Sequence, residues 1–339
     1  MQPTSPALLR VEALSVRFDT PNTPSRHILE GVELTLGEGE SLGIVGESGS
    51  GKSVLARVIM GMPARNAHAT IDGSISFDGE LLTSLEKKRW RSSASRAMGM
   101  IFQDPSSTLN PVVRVGRQIT EGAPPGVRRS RPARRALALE LLVSVGIPHP
   151  ERVAESFPSQ LSGGQRQRVG IAAALATQPR LLLADEPTTA LDATVQKQVL
   201  DLLDAIRKER GMAMIHISHD LAALSGRTDR IAVMYAGRIV ETGPSETILS
   251  RPEHPYTRAL IDSTPRLSAP RRPPLPNITG TLPELLHPRS GCAFAPRCGV
   301  ADAHCATSRP PEEANADPRH TVACWFPIRS AHHRVEALT

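Results

Sequence analysis

An eight-residue loop near the beginning of the chain follows the pattern G-x-x-x-x-G-K-S of a phosphate-binding loop. It consists of Gly46, Glu47, Ser48, Gly49, Ser50, Gly51, Lys52 and Ser53. The glycines allow backbone N–H groups to turn inward around phosphate oxygens, and the helix predicted to begin at Lys52 adds the positive end of its dipole. Lys52 supplies a charge for the β and γ phosphates, and the Ser53 hydroxyl can ligate Mg²⁺. The loop therefore predicts that the chain binds a nucleoside triphosphate.

Length and charge set only broad limits on what else the chain does. Its 339 residues suffice for two or three domains, and 40 Lys and Arg stand against 34 Asp and Glu. This excess suits a nucleic acid, an anionic membrane surface or a solvated helical face. Aromatic residues make up only 3%, which argues against a stacking platform for single-stranded nucleic acid. Without an apolar run of roughly 18–20 residues or a signal-peptide pattern, we expect a soluble, cytoplasmic chain.

Apolar strands alternate with helices along most of the chain, which predicts an α/β fold with a mostly parallel sheet covered on both faces. The predicted strands span residues 8–18, 32–36, 71–77, 98–102, 181–184, 212–217 and 231–235. The predicted helices span residues 52–60, 133–145, 163–177 and the segment from Asp192 to Gly211. The Arg- and Pro-rich segment 105–158 predicts a small helical insertion in this core. Prolines between residues 265 and 276 predict a connector.

Two consecutive carboxylates follow the apolar strand 181–184. Asp185 stands at the carboxyl end of that strand, where it can hold Mg²⁺ beside Ser53. Glu186 follows directly and is placed to polarise an attacking water. Phosphoryl transfer requires mainly a positioned water and neutralised charge, so this pair predicts hydrolysis of the bound nucleotide.

A second anion site is predicted at the start of the helix 163–177. Ser162 offers a hydroxyl there, and Gly163 and Gly164 offer backbone N–H groups at a positive helix end. Two phosphate sites in one chain are redundant unless each serves a different nucleotide, or unless subunits share one nucleotide.

These motifs, in this order, resemble the ATPase subunit of ATP-binding cassette (ABC) transporters over about residues 8 to 250. The remaining members of the series are Gln103 in Ile-Phe-Gln-Asp, Gln165 at the end of Leu-Ser-Gly-Gly-Gln, Asp192 in Ala-Leu-Asp, and His219 in Ile-Ser-His-Asp. The resemblance implies a P-loop NTPase (RecA-like) core with an antiparallel β subdomain and a helical insertion.

The resemblance also implies roles for single residues. In a head-to-tail dimer, the phosphate loop of one subunit would face the partner's Ser162, Gly163, Gly164, Gln165 and Asp192 across ATP. Gln103 would reach Mg²⁺ and the water, so that Ser53, Gln103 and Asp185 form the Mg²⁺ set. Glu186, His219 and Gln103 would be catalytic, with His219 at the γ-phosphate. Phe18 matches the aromatic residue that stacks on adenine, and its alternative is a core strand residue.

Three further stretches resemble one branch of that family, the ATPases of bacterial dipeptide, oligopeptide and nickel importers. They are residues 102–111, the His-Pro-Tyr element in residues 253–260, and residues 291–298 followed by Cys305 and Cys324. We therefore expect a nucleotide-binding domain in residues 1–255, with a helical subdomain at about 104–165. Residues 256–339 would form a small Cys-rich C-terminal extension.

The four cysteines, Cys292, Cys298, Cys305 and Cys324, have the spacing C-x₅-C-x₆-C-x₁₈-C. Four thiolates can hold a [4Fe–4S] cluster or a tetrahedral Zn²⁺, and this spacing favours neither. Members of the resembling branch carry a [4Fe–4S] cluster at such cysteines, so the resemblance favours iron–sulfur over zinc or free thiols. The expected role is structural, and a redox role is left open.

The resulting hypothesis is an ATP-hydrolysing subunit, bound to the cytoplasmic face of the membrane, that drives uptake of di- and oligopeptides. Its implied partners are a second ABC ATPase (identical or related), two transmembrane permease subunits and an extracytoplasmic solute-binding protein. Import of nickel or another small solute is the alternative within the family. A soluble ABC ATPase acting on nucleic acid is disfavoured, because the chain has a single cassette with only 57 residues between Gln103 and Leu161. We therefore expect no nucleic acid partner.

Overall fold

A computed structural model describes residues 7–19, 25–63, 68–104, 108–189, 191–264, 278–283, 290–314 and 317–328. The described residues form two compact units. The first unit comprises those within Met1–Leu36, Ser41–Thr83 and His216–Thr339, and the second those within Gly37–Glu40 and Ser84–Ile215. The proline-rich connector predicted for residues 265–276 lies outside the described residues, as do Pro105, Ser106, Ser107 and Ala190 of the quoted motifs.

The strands are β1 (Leu9–Asp19), β2 (Arg26–Leu36), β3 (Ser41–Val45), β4 (His68–Phe77), β5 (Glu80–Leu81), β6 (Met98–Ile101), β7 (Leu181–Asp185), β8 (Ala213–Ser218), β9 (Arg230–Tyr235), β10 (Arg238–Pro244), β11 (Glu313–Ala314) and β12 (Thr321–Val322). The helices are α1 (Lys52–Ile59), α2 (Lys87–Ala97), α3 (Val115–Ile119), α4 (Pro125–Arg129), α5 (Arg131–Ser144), α6 (Pro150–Glu155), α7 (Gly163–Leu175), α8 (Ala193–Arg210), α9 (Leu221–Leu224), α10 (Ser245–Ser250), α11 (Pro255–Asp262) and α12 (Ala303–Thr307). No helix among these ranges is both long and apolar enough to cross a bilayer.

The first unit contains an antiparallel sheet in the order β2-β1-β4-β5. Strand β1 is central and pairs antiparallel with both β2 and β4. Its residues Val11, Leu14 and Val16 are buried, as the alternating pattern predicts, with a change of register near Ala13, where φ is +47°. The predicted strand over residues 8–18 and the antiparallel β subdomain are thus confirmed.

The first unit also carries the strand that leads into the phosphate loop. Strands β3 and β9 are parallel and consist almost entirely of buried residues, as expected for strands covered on both faces. Strand β10 pairs antiparallel with β9, and β12 pairs antiparallel with β10. The prediction of a mostly parallel sheet did not include these antiparallel strands, because their short segments lack a long apolar run.

The second unit combines a parallel strand pair with the predicted helical insertion. Strands β6 and β7 are parallel, and β7 is buried throughout. Helix α5 places Leu141 in a core that also receives Val169 of α7 and Val199 of α8. The predicted helix over residues 133–145 is confirmed to within two residues, whereas the short helices α3, α4 and α6 were not predicted, since five or six residues are too few for an apolar period to show.

Candidate functional site

The phosphate loop connects β3 to α1, and its backbone requires glycine at two positions. A Cβ atom on Gly46 would lie 2.0 Å from the Met234 carbonyl oxygen, so no side chain fits there. Gly51 has φ of +104°, a conformation that L residues rarely adopt. Ser48 and Gly49 are exposed, while Ser50 is buried. The pattern G-x-x-x-x-G-K-S is therefore realised as a tight loop whose tip faces outward.

Lys52 lies within this loop rather than reaching into solvent. Its side chain is only 4% exposed, and its Nζ donates hydrogen bonds to the carbonyl oxygens of Gly46 (2.7 Å) and Glu47 (2.9 Å). Ser53 is half-buried in the first turn of α1. The ammonium group is held at the loop, where a phosphate would find both its charge and the N-terminal end of α1.

The second unit brings Gln103 and Glu186 together. The Glu186 carboxylate accepts a hydrogen bond from Gln103 Nε2 (3.1 Å) and another from Thr189 Oγ1 (2.9 Å) at the same oxygen, Oε2. Glu186 has φ of +45°, unusual for a residue with a side chain and typical of strain kept at functional positions. Asp185, immediately before it, is buried at the end of β7. The carboxylate pair is thus divided into one buried and one half-buried group.

The residues predicted to bind an anion lie at the N-terminal end of α7. Ser162 is exposed, its Oγ accepts a hydrogen bond from the Gln165 N–H (3.2 Å), and Gln165 Oε1 accepts one from the Ser162 N–H (3.0 Å). This reciprocal pair is a capping box. Gly163 is exposed and Gly164 is half-buried, so the N–H groups of the first turn lie at the surface.

The other residues of the predicted site lie at the ends of elements. Asp192 caps α8, accepting hydrogen bonds from the N–H groups of Thr194 (3.1 Å) and Val195 (3.0 Å). His219 is exposed directly after β8. Phe18 is half-buried in β1, paired in register with Arg26 and Ala69. The phosphate loop, Phe18 and His219 belong to the first unit, and Gln103, Asp185, Glu186, residues 162–165 and Asp192 to the second.

Two residues that the sequence analysis did not assign to the site contact the phosphate loop. Tyr256 Oη accepts a hydrogen bond from the Glu47 N–H (2.8 Å), and Arg297 forms a bidentate ion pair with the Glu47 carboxylate. Tyr256 belongs to the His-Pro-Tyr element and Arg297 directly precedes Cys298, so both lie inside the stretches that resemble the peptide-importer branch.

The His-Pro-Tyr element has a structural explanation in this unit. His254 Nδ1 accepts the Tyr256 N–H (3.0 Å) and so caps α11. The buried Glu241 carboxylate accepts hydrogen bonds from the N–H groups of Glu253 (2.7 Å) and His254 (3.0 Å), and it pairs with His320 Nε2 at 2.8 Å. Burial lowers the pKa of His254 to about 4, against the attraction of Glu241. His254 is thus a neutral cap.

The four cysteines line one small apolar cavity together with Phe294 and Trp325. None of them is in a disulfide. Burial and the neighbouring thiols raise the pKa of Cys324 to about 11. Among the described residues, no group of three or more His, Cys, Asp or Glu side chains is arranged to hold a metal ion.

Comparison with known proteins places these features in a family. The ABC transporter family model matches residues 29–189, and the model of the oligopeptide/dipeptide transporter C-terminal region matches residues 240–305. The oligopeptide transport ATP-binding protein OppD of Bacillus subtilis is 44% identical over 94% of this chain and 88% of that protein. The dipeptide transport ATP-binding protein DppD of Escherichia coli is 40% identical over 96% of this chain and 98% of that protein.

Solved structures agree with the fold. A dimeric ATP-binding cassette in a post-hydrolysis state, bound to ADP and phosphate, superposes with a TM-score of 0.60 at 27% identity, covering 70% of this chain and 98% of that one. CbiO1 of Clostridium perfringens, part of an ABC transporter complex, gives a TM-score of 0.59 at 27% identity over 71% of this chain and 90% of its own. The chain has the α/β fold of an ABC cassette, and it belongs to the ATPase subunits of the ABC transporter family.

Proposed function

We propose that this ATPase drives the uptake of di- and oligopeptides across the cytoplasmic membrane. The observation that carries the proposal is the match, over almost the whole chain, to relatives named as dipeptide and oligopeptide transport ATP-binding proteins. The match includes the C-terminal region model at residues 240–305, and that region lies outside the match to the ABC transporter model. We assign the cassette to residues 1–255, its helical subdomain to about 104–165, and a C-terminal extension to residues 256–339.

The phosphate loop would bind the triphosphate through its backbone N–H groups and Lys52. The Ser53 hydroxyl and the buried Asp185 carboxylate offer the hard oxygen ligands that Mg²⁺ prefers, with Gln103 as a third. Mg²⁺ held by these residues would neutralise charge on the phosphates. Phe18 is half-buried in β1, which leaves ring surface for the adenine. Each of these residues binds or orients the nucleotide and takes no part in proton transfer.

Glu186 would orient and polarise the attacking water. Its hydrogen bonds from Gln103 and Thr189 hold the carboxylate in place, and the carboxylate would accept a proton from the water. His219 would contact the γ-phosphate through its exposed ring. Phosphoryl transfer requires a positioned water and stabilised charge, and Glu186 and His219 would supply these.

A second cassette would complete the nucleotide site. Ser162, Gly163, Gly164, Gln165 and Asp192 would face the γ-phosphate bound by the partner's loop. Support comes from the exposed first turn of α7, and from the dimeric cassette to which this fold is similar. Two transmembrane permease subunits and an extracytoplasmic solute-binding protein would complete the transporter, so that the chain acts at the cytoplasmic face of the membrane.

Peptide uptake tests the proposal directly. In a strain that lacks the chromosomal copy, expression of the chain should restore uptake of labelled di- and tripeptides. Lys52→Ala should fail to restore it, because the loop loses the charge that meets the phosphates. Glu209→Gln, which changes an exposed glutamate of α8, should restore uptake like the wild type. Restoration of nickel uptake without peptide uptake, or no effect on either, would contradict the peptide assignment.

We further propose that the four cysteines hold a [4Fe–4S] cluster. Four thiols line one apolar cavity there, and thiolates are the ligands that such a cluster takes. Zn²⁺ is the weaker candidate, because the resemblance to the peptide-importer branch favours the cluster. When bound, such a group would cross-link four separate points of the C-terminal residues and stabilise them.

Iron content tests this assignment. Anaerobically purified protein should contain about four irons and four acid-labile sulfides per chain, and Cys324→Ser should lose most of both. His304 packs against Trp325 and offers a nitrogen ligand in place of a thiol. His304→Asn leaves all four thiols in place and should retain the iron and the sulfide. One zinc per chain, or four free thiols, would contradict the proposal.

A further inference from the structure

Glu47 of the phosphate loop is held by residues far along the chain through both its backbone and its side chain. Its N–H donates to Tyr256 Oη at 2.8 Å. Its Oε2 and Oε1 accept hydrogen bonds from Arg297 Nη1 and Nη2, each at 2.9 Å. Since the Glu47 N–H is already used, the phosphate cradle must come from the other N–H groups of the loop, and Glu47 instead anchors it.

The Arg297 guanidinium uses all five of its N–H groups. Besides the two bonds to Glu47, Nε donates to the Thr279 carbonyl (2.8 Å), Nη2 to the Ile278 carbonyl (3.1 Å) and Nη1 to Tyr235 Oη (3.2 Å). The Arg297 side chain is 6% exposed and the Glu47 side chain 25%. A guanidinium with every donor engaged cannot shift without losing several bonds, so its position is fixed.

The charge of Glu47 makes this contact matter for nucleotide binding. A carboxylate in a loop that receives a triphosphate repels the ligand unless a cation neutralises it. Lys52 cannot serve both purposes, since its ammonium is directed at the loop carbonyl oxygens and is the charge reserved for phosphate. Arg297 faces the Glu47 carboxylate directly, and the hydrogen bonds between them raise the pKa of Arg297.

We propose that Arg297 is a positioning residue of the ATP site: it neutralises Glu47 and fixes the phosphate loop from the C-terminal residues. The proposal rests on the ATPase function above and adds a role that the loop motif does not contain. Leu282, from the same stretch as Thr279, lies 3.4 Å from where a Cβ of Gly49 would be, so this stretch also reaches the exposed tip of the loop. Loop and C-terminal residues therefore act together in binding ATP.

A set of variants tests this role by the affinity for ATP and by steady-state kinetics. Arg297→Met should weaken ATP binding and raise KM about tenfold, because an unneutralised carboxylate then stands in the loop, while kcat at saturating ATP changes less than about twofold. Glu47→Gln added to Arg297→Met should restore affinity to within about threefold of wild type, since the repelling charge is gone. A merely structural role of Arg297 would not be suppressed in this way. Arg297→Lys, which keeps the charge but not the two parallel hydrogen bonds, should lose about threefold in affinity for ATP.

The matched control is Arg319→Met, because Arg319 makes an equally bidentate pair with Asp317 but is exposed. It should bind ATP like the wild type. Wild-type affinity in Arg297→Met, or no recovery in the double variant, overturns the proposal. If Arg297→Met does not fold, a tenfold loss of ATP affinity in the double variant also overturns the proposal. A wild-type protein that neither binds nor hydrolyses ATP would instead refute the proposed function itself.

Discussion

Glu186→Gln is expected to stop steady-state ATP hydrolysis while leaving ATP binding intact. The glutamine keeps the size of the side chain, and its amide oxygen can still accept hydrogen bonds from Gln103 and Thr189. It cannot take a proton from water, however, because an amide is not basic at neutral pH. Removal of a positioned general base costs about 10²- to 10⁴-fold in rate, so we expect a loss of about a thousandfold in kcat.

Phosphate release and nucleotide affinity, measured on the same preparation, separate the two effects. The Kd for ATP should stay within about threefold of wild type, because Glu186 lies outside the phosphate loop. Glu209→Gln makes the same chemical change on an exposed part of α8 and should hydrolyse ATP at the wild-type rate. Rapid hydrolysis by Glu186→Gln would show that another group activates the water, with Asp185 and His219 as the next candidates.

Elements with a complete local signal could be predicted from the sequence alone. Helix α8 is an example, because Asp192 caps its start and Gly211 ends it in the left-handed conformation, with φ of +61°. Between them Val199, Leu203 and Ile206 are buried at helical spacing. The phosphate loop was found in the same way, since its glycines, its lysine and the preceding strand are consecutive in the chain.

The links between distant segments could not be predicted. Arg297 and Glu47 are 250 residues apart, and nothing in either segment indicates that they form a pair. The contact between the Tyr256 hydroxyl and the loop could not be predicted either, because its partner is a backbone N–H group, which has no sequence signature. The positive φ of Glu186 could not be predicted either, because no glycine stands at this position to indicate it. Local patterns reveal elements and chemistry, whereas tertiary packing decides which elements support the site.

His254 illustrates how such packing creates a pH dependence. Its ring is 1% exposed, Nδ1 accepts the Tyr256 N–H, and Nε2 has no hydrogen-bond partner among the residues that the structure describes. Protonation would have to place a charge in this buried position and would remove the acceptor that caps α11. Burial therefore lowers its pKa from 6.5 to about 4, although the attraction of Glu241 opposes the change. The folded state thus requires the neutral ring.

The free energy of unfolding is expected to fall as the pH falls from about 6.5 to about 4. In this interval the unfolded chain binds a proton at His254 and the folded chain does not, so acid favours unfolding. Above 6.5 both states are neutral at this residue and its contribution is constant. One pKa unit corresponds to about 1.4 kcal/mol, so His254 should lower the free energy of unfolding by about 3 kcal/mol across this interval. Urea unfolding at a series of pH values measures it.

Two variants should change the pH dependence in different pH ranges. His254→Asn keeps a side-chain acceptor for the Tyr256 N–H but cannot titrate, so its unfolding free energy should vary less between pH 6.5 and 4. Burial lowers the pKa of His320, but its hydrogen bond to Glu241 outweighs this and the net pKa is raised. His320 therefore stabilises the fold below its unfolded pKa, and this contribution is lost as the pH rises through its folded pKa. His320→Asn removes this contribution and should abolish the loss of stability as the pH rises above about 6.5, while the loss between pH 6.5 and 4 stays as in the wild type. Parallel pH profiles for the two variants would contradict the assignment of a neutral His254 and a charged His320 on either side of Glu241.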